Sequence, residues 1–378
     1  TVNGTINVKE INLLTDSISD YTIINFTSSS VLRNKINVVE KTYSPLYIYD
    51  VSYSSSSGDL TFLRSSFNPT IFETSVAGLA GGYLTQAAIG RQIFANVDSA
   101  FFDRQDVPAQ NPVLYESADS ENSVFEIKNV LGGNLWIKPY SVCEKIDFDG
   151  TNVDNDAYGS LLGADFEITE NKKFSIYAAY TASNQKYQDI TMEQNGYVVG
   201  ASGFFRKENF YAAITANMGF ADTKAKNILS TDNFSSEMYS AAIKTGYGIE
   251  LGSMVILQPS LFFMYGSIQT DEVLTSYGAV IKSKDLNNLH VEPEIKINFP
   301  LGSGWQPYCL ASVVFNTAKM SVSADDLSLK EVGISNYVNY GVGLEKNGLG
   351  NFGIYLQALG KSGQVQGSVF SAGIKYSF

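Results

Sequence analysis

At 378 residues the chain has room for two or three structural units and a sizeable core. Charged residues make up 17%, against roughly 25% in ordinary soluble domains, aromatics make up 13%, and the net charge of −12 argues against nucleic acid or an anionic membrane surface as partner. No run of about 18 strongly apolar residues occurs, which excludes helical membrane spans but not strands that alternate apolar and polar residues and leave mean hydropathy near zero, here −0.04.

The chain opens at Thr1 without Met, basic n-region or apolar h-region, and is expected to be a fragment or mature product whose export signal lay upstream. Residues 1–70 carry short alternating runs, TINV, YTIINF, INVV and LYIYDVSY, broken by Ser, Asn and Gly. This is the pattern of a β-rich extracellular region, read as β-solenoid rungs finished by a hairpin around Ser57 and Gly58.

Residues 71–104 form the one helical segment. Thr74 or Ser75 can cap its start. Leu79, Tyr83, Ala87, Phe94, Val97 and Phe101 recur at helical spacing, and Gly82 and Arg91 lie among them. Gly78, Gly81, Gly82 and Gly90 weaken a free helix by up to about 1 kcal/mol each, so their presence makes sense where a slim helix must fit a confined space. Residues 105–134, with Pro108, Pro112 and several acids, read as an irregular connector.

Residues 135–378 divide into twelve strand-length runs: 135–146, 158–168, 174–183, 197–207, 210–220, 240–251, 254–268, 288–299, 305–317, 337–346, 352–360 and 368–378. Each is near the roughly 9–11 residues that a tilted membrane strand needs. The connections alternate: DFDGTNVDNDA and NQKYQDITMEQNG are long, whereas TENKK, RKEN, Gly252-Ser253, PLGSG and KNGLGN are short. Tight turns on one side and long loops on the other are the signature of an up-and-down transmembrane barrel. In the eighth run Leu289, Val291, Pro293, Ile295, Ile297 and Phe299 share one face, and His290, Glu292, Glu294, Lys296 and Asn298 share the other. One face suits hydrocarbon and the other water. The expected fold is all-β: a 12-stranded barrel with a helix in its lumen, behind a short β-rich region. A barrel of that size is wider than the eight-stranded kind that side chains alone fill.

The order of these segments, and the ending SAGIKYSF with Gly373, Tyr376 and Phe378, resembles the autotransporters of type V secretion over essentially the whole chain. The resemblance implies that residues 1–70 are the end of a secreted passenger and that the helix threads the pore. It also implies that the C-terminal motif is read by the outer-membrane barrel assembly machinery, with periplasmic chaperones upstream of it, and that outer-membrane lipid and lipopolysaccharide surround the barrel. In some members of that family the helix is cut when an Asn side chain attacks its own backbone carbonyl, with a carboxylate assisting. Asn96 is the only asparagine of this helix, and Asp98, Glu292 or Glu294 offer the acid. The Asn-Asn pair of self-cleaving members is missing and the next residue is β-branched Val97, so Asn96 reads as a polar residue facing lumen water.

Other chemistry is weighed on single features. His290 is the sole histidine, and with Glu292 and Glu294 it invites comparison with outer-membrane hydrolases; a lumen hydrogen-bonding role is the plainer reading. Residues 147–156 superficially resemble a calcium loop but lack its central Gly and closing Glu, and read as a hydrated surface loop. Trp136, Pro139 and Tyr140 suit an interfacial girdle. Cys143 and Cys309 fall in distant strands and read as unpaired small hydrophobes. Neither metal nor cofactor is expected, since zinc spacing, phosphate-binding Gly loop and nucleophile elbow are all missing. Two rival functions remain on sequence grounds: a porin-like or adhesin barrel without secretion role, and a soluble β-rich adhesin.

Overall fold

The computed structural model describes residues 6–9, 11, 36–43, 47–57 and 59–67. It also describes 133–377 apart from 149–150, 170, 188–189, 227–230, 253–254, 275–279, 302–303, 325–326, 329–331, 335 and 350. The expected helix at 71–104, including Asn96, the connector at 105–134 up to residue 132, and Phe378 lie outside the described residues.

In the N-terminal part β1 (Ile6–Val8) pairs in parallel with β2 (Ile36–Val38), stacking Ile-Asn-Val on Ile-Asn-Val. The amide of Asn37 donates to Asn7 Oδ1 at 3.2 Å. Identical residues in parallel register let the amides form a ladder, the arrangement of stacked solenoid rungs. Strands β3 (Lys41–Tyr43), β4 (Tyr47–Tyr53) and β5 (Leu60–Phe67) follow as an antiparallel sheet.

The rest is a closed antiparallel barrel. Its members are β6 (Gly133–Phe148), β7 (Thr151–Thr169), β8 (Lys172–Tyr187), β9 (Ile190–Lys207), β10 (Phe210–Lys226) and β11 (Thr231–Tyr247), the last continued in the same register by β12 (Ile249–Glu250). Then come β13 (Ile256–Thr270), β16 (Leu286–Asn298), β17 (Trp305–Asn316), β22 (Tyr337–Leu349), β23 (Phe352–Gly363) and β24 (Val365–Ser377). With β11 and β12 counted as one, twelve strands each pair with two neighbours, and β24 closes on β6 from Val365↔Ile146 to Ser377↔Asn134. Closure removes the unpaired edge, which is what allows a sheet to stand in hydrocarbon.

The outer face shows where the hydrocarbon lies. Tyr158, Tyr197, Tyr239, Tyr265 and Tyr340 point outward at one level, and Phe174, Phe205, Phe210, Tyr247, Phe352 and Tyr376 at the other end, all exposed. The ten residue steps from Phe210 to Phe220 along β10, at about 3.3 Å each and a tilt of about 40°, climb about 25 Å, the height of an outer-membrane apolar band between its aromatic girdles. Beyond the upper girdle the outward residues become Asp154, Asp156, Glu193, Asp222 and Lys224, all exposed.

Several strands run well past the girdle, and this corrects the sequence reading. The segments 147–157 and 184–196, expected as long loops, are for the most part ladder: Ile146 pairs with Val153, and Gln185 with Met192. Above the membrane the polarity of the two faces inverts. Val153, Ile190 and Met192 point inward while the carboxylates between them point out to water, so a pattern tuned to apolar-outward alternation finds no strand there. Two long connections remain on this side, and they pair with each other. Strands β14 (Val273–Leu274), β15 (Val280–Ser283), β19 (Val322–Ala324) and β20 (Leu327–Ser328) form a small sheet, and β18 (Lys319–Met320) pairs with β21 (Val332–Gly333).

Trp136 and Tyr140 are a second correction. They point into the barrel and are buried, because each ring lies flat over an inward glycine of the next strand. A Cβ on Gly163 would fall within the Trp136 ring, and one on Gly343 within the Tyr308 ring. Trp136 also donates its indole N–H to Asp165 Oδ1 at 2.8 Å. A glycine paired with an aromatic lets a wide barrel fill interior volume without a bulky residue at every position.

Candidate functional site: the barrel lumen

Alternate residues of each strand face the lumen, so the candidate site is the whole inner wall. Strand β16 supplies its most polar stripe. His290, Glu292, Glu294 and Lys296 all point inward and are buried.

Their partners come from strands on either side. Lys244 of β11 reaches across β13 to Glu294 at 2.9 Å, and Lys296 reaches across β17 to Glu345 of β22 at 3.1 Å. Near the closing seam Lys361 of β23 reaches across β24 to Glu144 of β6 at 2.5 Å, and Asn155 donates to the other carboxylate oxygen of Glu144 at 3.0 Å. Each of these pairs links two strands that flank a third. They act as staples across the ladder, and removal of one partner leaves a buried charge. Lys296 also lies over the Tyr308 ring at 4.0 Å and Lys138 over the Tyr355 ring at 4.6 Å, distances at which ring quadrupoles hold a cation.

Glu292 centres a second network. His290 Nε2 sits 3.1 Å from one carboxylate oxygen, while the Ser312 hydroxyl and the Asn339 amide donate to the other at 2.5 and 3.2 Å. For a nucleophilic serine the imidazole should stand between hydroxyl and carboxylate. Here the carboxylate stands between Ser312 and His290, an order suited to fixing the wall and not to withdrawing a proton from Ser312.

Along its axis the lumen changes character. The β16 stripe and the aromatic–glycine pairs occupy the membrane level, and the Lys361–Glu144 pair stands just above the Tyr158 girdle. At the level of the long connections the inner wall becomes more apolar: Ile146, Val153, Ile190, Met192, Ala221, Ala225, Met238, Ile268, Leu286, Val314, Tyr337 and Val365 belong to one buried cluster, interleaved with buried Asn155, Gln185, Thr223 and Ser236. Every barrel strand except β8 and β23 contributes, and the register joins Val365 to Ile146 to Val153 and Met238 to Ile268 to Leu286. A polar inner face alone, as on β16, does not predict this apolar cluster; its signal in the sequence is the inverted alternation of Val153, Ile190 and Met192.

Of the C-terminal motif, Gly373 faces inward against the Lys138 side chain, and Tyr376 faces lipid with its ring 5.1 Å from that of Phe352. Cys143 and Cys309 are free thiols on the outer face.

A closed twelve-stranded barrel with a lipid-facing band, two aromatic girdles and a polar, stapled lumen is an outer-membrane β-barrel. The comparisons with known proteins agree on which kind. The autotransporter β-domain profile matches residues 136–358. The translocator domain of the autotransporter NalP from Neisseria meningitidis is similar with a TM-score of 0.58 at 11% identity, covering 68% of this chain and 90% of that one. The transport unit of AIDA-I from Escherichia coli gives 0.58 at 19%, covering 68% and 93%, and the β-domain of Bordetella BrkA gives 0.54 at 16%, covering 65% and 100%. No curated protein matches the chain by sequence. The chain belongs to the autotransporter family. It is an outer-membrane translocator unit, which anchors in that membrane and displays its N-terminal passenger at the cell surface.

Proposed function

We propose that residues 1–70 are the end of the displayed passenger, that residues 71–104 thread the lumen as a helix, and that residues 105–134 connect the helix to the barrel. One observation carries this reading. The first barrel strand begins, at Gly133, on the side of the tight turns at 208–209 and 350–351, where β24 also ends. In an outer-membrane barrel that side is the periplasm. A passenger joined there and displayed outside has to cross within the barrel, because lipid leaves backbone groups unpaired. Thirty-four helical residues at about 1.5 Å each reach about 50 Å, enough for the membrane and the strand extensions above it. The Ile-Asn-Val stack of β1 on β2 supports a passenger of solenoid type.

In this reading Leu79, Tyr83, Ala87, Phe94, Val97 and Phe101 pack against the wall, with Gly82 and Arg91 on the same helix. His290, Glu292, Glu294 and Lys296 supply hydrogen bonds to it. Asn96 is a polar helix residue and not a nucleophile, so the chain acts as a conduit and anchor and not as an enzyme. Gly373, Tyr376 and Phe378 present the last strand to the barrel assembly machinery after periplasmic chaperones have kept it unfolded, and lipid and lipopolysaccharide bathe the girdles.

The test pairs two measurements. Deleting residues 74–104 is expected to raise single-channel conductance severalfold while heat-modifiable gel mobility is kept; unchanged conductance contradicts the threaded helix. The unmodified chain is expected to run as one species of 41.2 kDa after unfolding, and a stable fragment ending at residue 96 contradicts the role given to Asn96.

A further inference from the structure

The lipid-facing wall is uneven at the closing seam, where four neighbouring strands set two outward rows one above the other. Phe370 of β24 stands between Ser141 of β6 and Ala358 of β23, and Val342 of β22 continues that row. In the row below, Ala372 of β24 and Leu356 of β23 stand side by side, with Leu344 of β22 next to Leu356 and Pro139 of β6 beyond Ala372. Phe370, Val342 and Leu356 project, at 58%, 60% and 50% exposure, whereas the short side chains of Ala358, Ala372 and Ser141 barely rise above the backbone. A cleft of about 670 Å³ lies among them, a volume typical of ligand-sized pockets.

Position and shape choose the occupant. Ser141 pairs with Tyr158 of the upper girdle, so the cleft lies just beneath that girdle, in the outer half of the band that lipid covers. None of the described residues lining it is charged, and what fits such a lining at this depth is hydrocarbon. Successive outward rows along a strand are about 6.6 Å apart, room for a single methylene chain but not for a helix of about 10 Å. Across four strands the cleft extends about 14 Å, three strand spacings of about 4.8 Å, the shape of an extended chain. The seam also gives that chain something to cover. Pairing of β24 with β6 stops at Ser371↔Tyr140 and resumes at Ile374↔Ile137, because Pro139 has no N–H to give to the ladder.

We propose that this cleft seats one acyl chain of an outer-leaflet lipid, held at the closing seam while the lipid around the rest of the barrel exchanges freely. The chain fills the space that the small side chains leave beneath the girdle and packs over Ala372 and Pro139, where the closing ladder is interrupted. The seat depends on the outer-membrane placement of the barrel, and on neither the contents of the lumen nor residues 1–132.

The experiment places the full chain in vesicles of phosphatidylethanolamine and phosphatidylglycerol, a fraction of the former carrying a diazirine midway along one acyl chain, and maps the adducts after irradiation. Peptides containing residues 139–141, 356–358 and 370–372 are expected to be labelled severalfold more than the far wall around Ala241 and Phe263, which are also outward and exposed. Ala358→Phe with Ala372→Phe fills the cleft and is expected to bring the seam down to the level of the far wall, while Ala241→Phe leaves the difference unchanged. Even labelling all round the wild-type wall overturns the proposal, since it describes ordinary surrounding lipid only. Undiminished seam labelling in the filled variant, with heat-modifiable mobility intact, overturns it as well. Should the filled variant fail to assemble, the wild-type distribution decides alone. A wild-type dimer that the filled variant disperses, with even lipid labelling, gives the cleft to a second copy and also contradicts the seat. Labelling on neither wall would contradict the membrane placement itself, so the two ideas fail separately.

Discussion

Lys361→Ala is expected to destabilise the barrel by about 3–5 kcal/mol, since it strands the buried carboxylate of Glu144 beside the closing seam. The position matters more than the charge. Lys361 and Glu144 stand on the two strands that flank β24, the strand whose pairing with β6 closes the cylinder. Between them the backbone of β24 passes through Gly367 at φ 149°, where any Cβ would meet the Cys143 carbonyl and the Glu144 backbone. The ion pair therefore spans the closing ladder at Gly367, which stands opposite Lys361 on one side and Glu144 on the other. The double variant Glu144→Gln with Lys361→Met removes both charges and is expected to recover most of the loss, because a buried pair replaced by groups of similar volume is often neutral. Urea-induced unfolding in detergent micelles, followed by tryptophan fluorescence, measures all three. A double variant no better than the single would assign the loss to packing and not to an unpaired charge.

Ile214→Arg is expected to cost about 2–4 kcal/mol and to reduce the amount of assembled barrel in membranes, because Ile214 projects outward near the middle of the lipid-facing band. It is 61% exposed in the isolated chain, and on β10 it lies between the girdle residues Phe210 and Phe220. Asp222→Arg, one outward position beyond Phe220, places the same guanidinium among carboxylates in water, and its expected cost is about 0–1 kcal/mol. Folding equilibria in lipid vesicles compare the two. Equal costs at both positions would remove the argument that a hydrocarbon layer ends at the Phe220 level.

The membrane-level half of each strand was legible in the sequence because one periodicity governs it. On β16 the stripe His290, Glu292, Glu294 and Lys296 could be placed inward from alternation alone, since hydrocarbon on one side and water on the other leave no other arrangement. Partners were not legible. Glu345, Ser312, Asn339 and Lys361 lie far along the chain from the residues they hold, and only the register of intervening strands brings them together. The strand extensions were hidden for a different reason. Above the girdle both faces meet the rules of a soluble protein, so Val153, Ile190 and Met192 turn inward and the carboxylates outward, and a stretch such as NQKYQDITMEQNG loses its apolar-outward period while remaining in the ladder. Trp136 and Tyr140 misled in a third way: aromatic residues near a strand start suit a girdle by composition, but their place was set by Gly163 and Gly159 on the next strand. Both glycines were visible in the sequence, and the pairing that joins them to the rings was not.

Closure of the cylinder is the claim on which anchoring and the lumen both depend, and native Cys143 offers a direct test. Ser368 of β24 lies opposite Cys143 of β6 in the closing ladder, and directly paired antiparallel residues stand about 4.5–5.5 Å apart at Cα, within disulfide reach. In a Ser368→Cys chain that also carries Cys309→Ser, mild oxidation of the assembled protein is expected to join residues 143 and 368 and to leave no thiol open to maleimide after unfolding. Recovery of both thiols from a protein that has reached the membrane would contradict a barrel closed in this register.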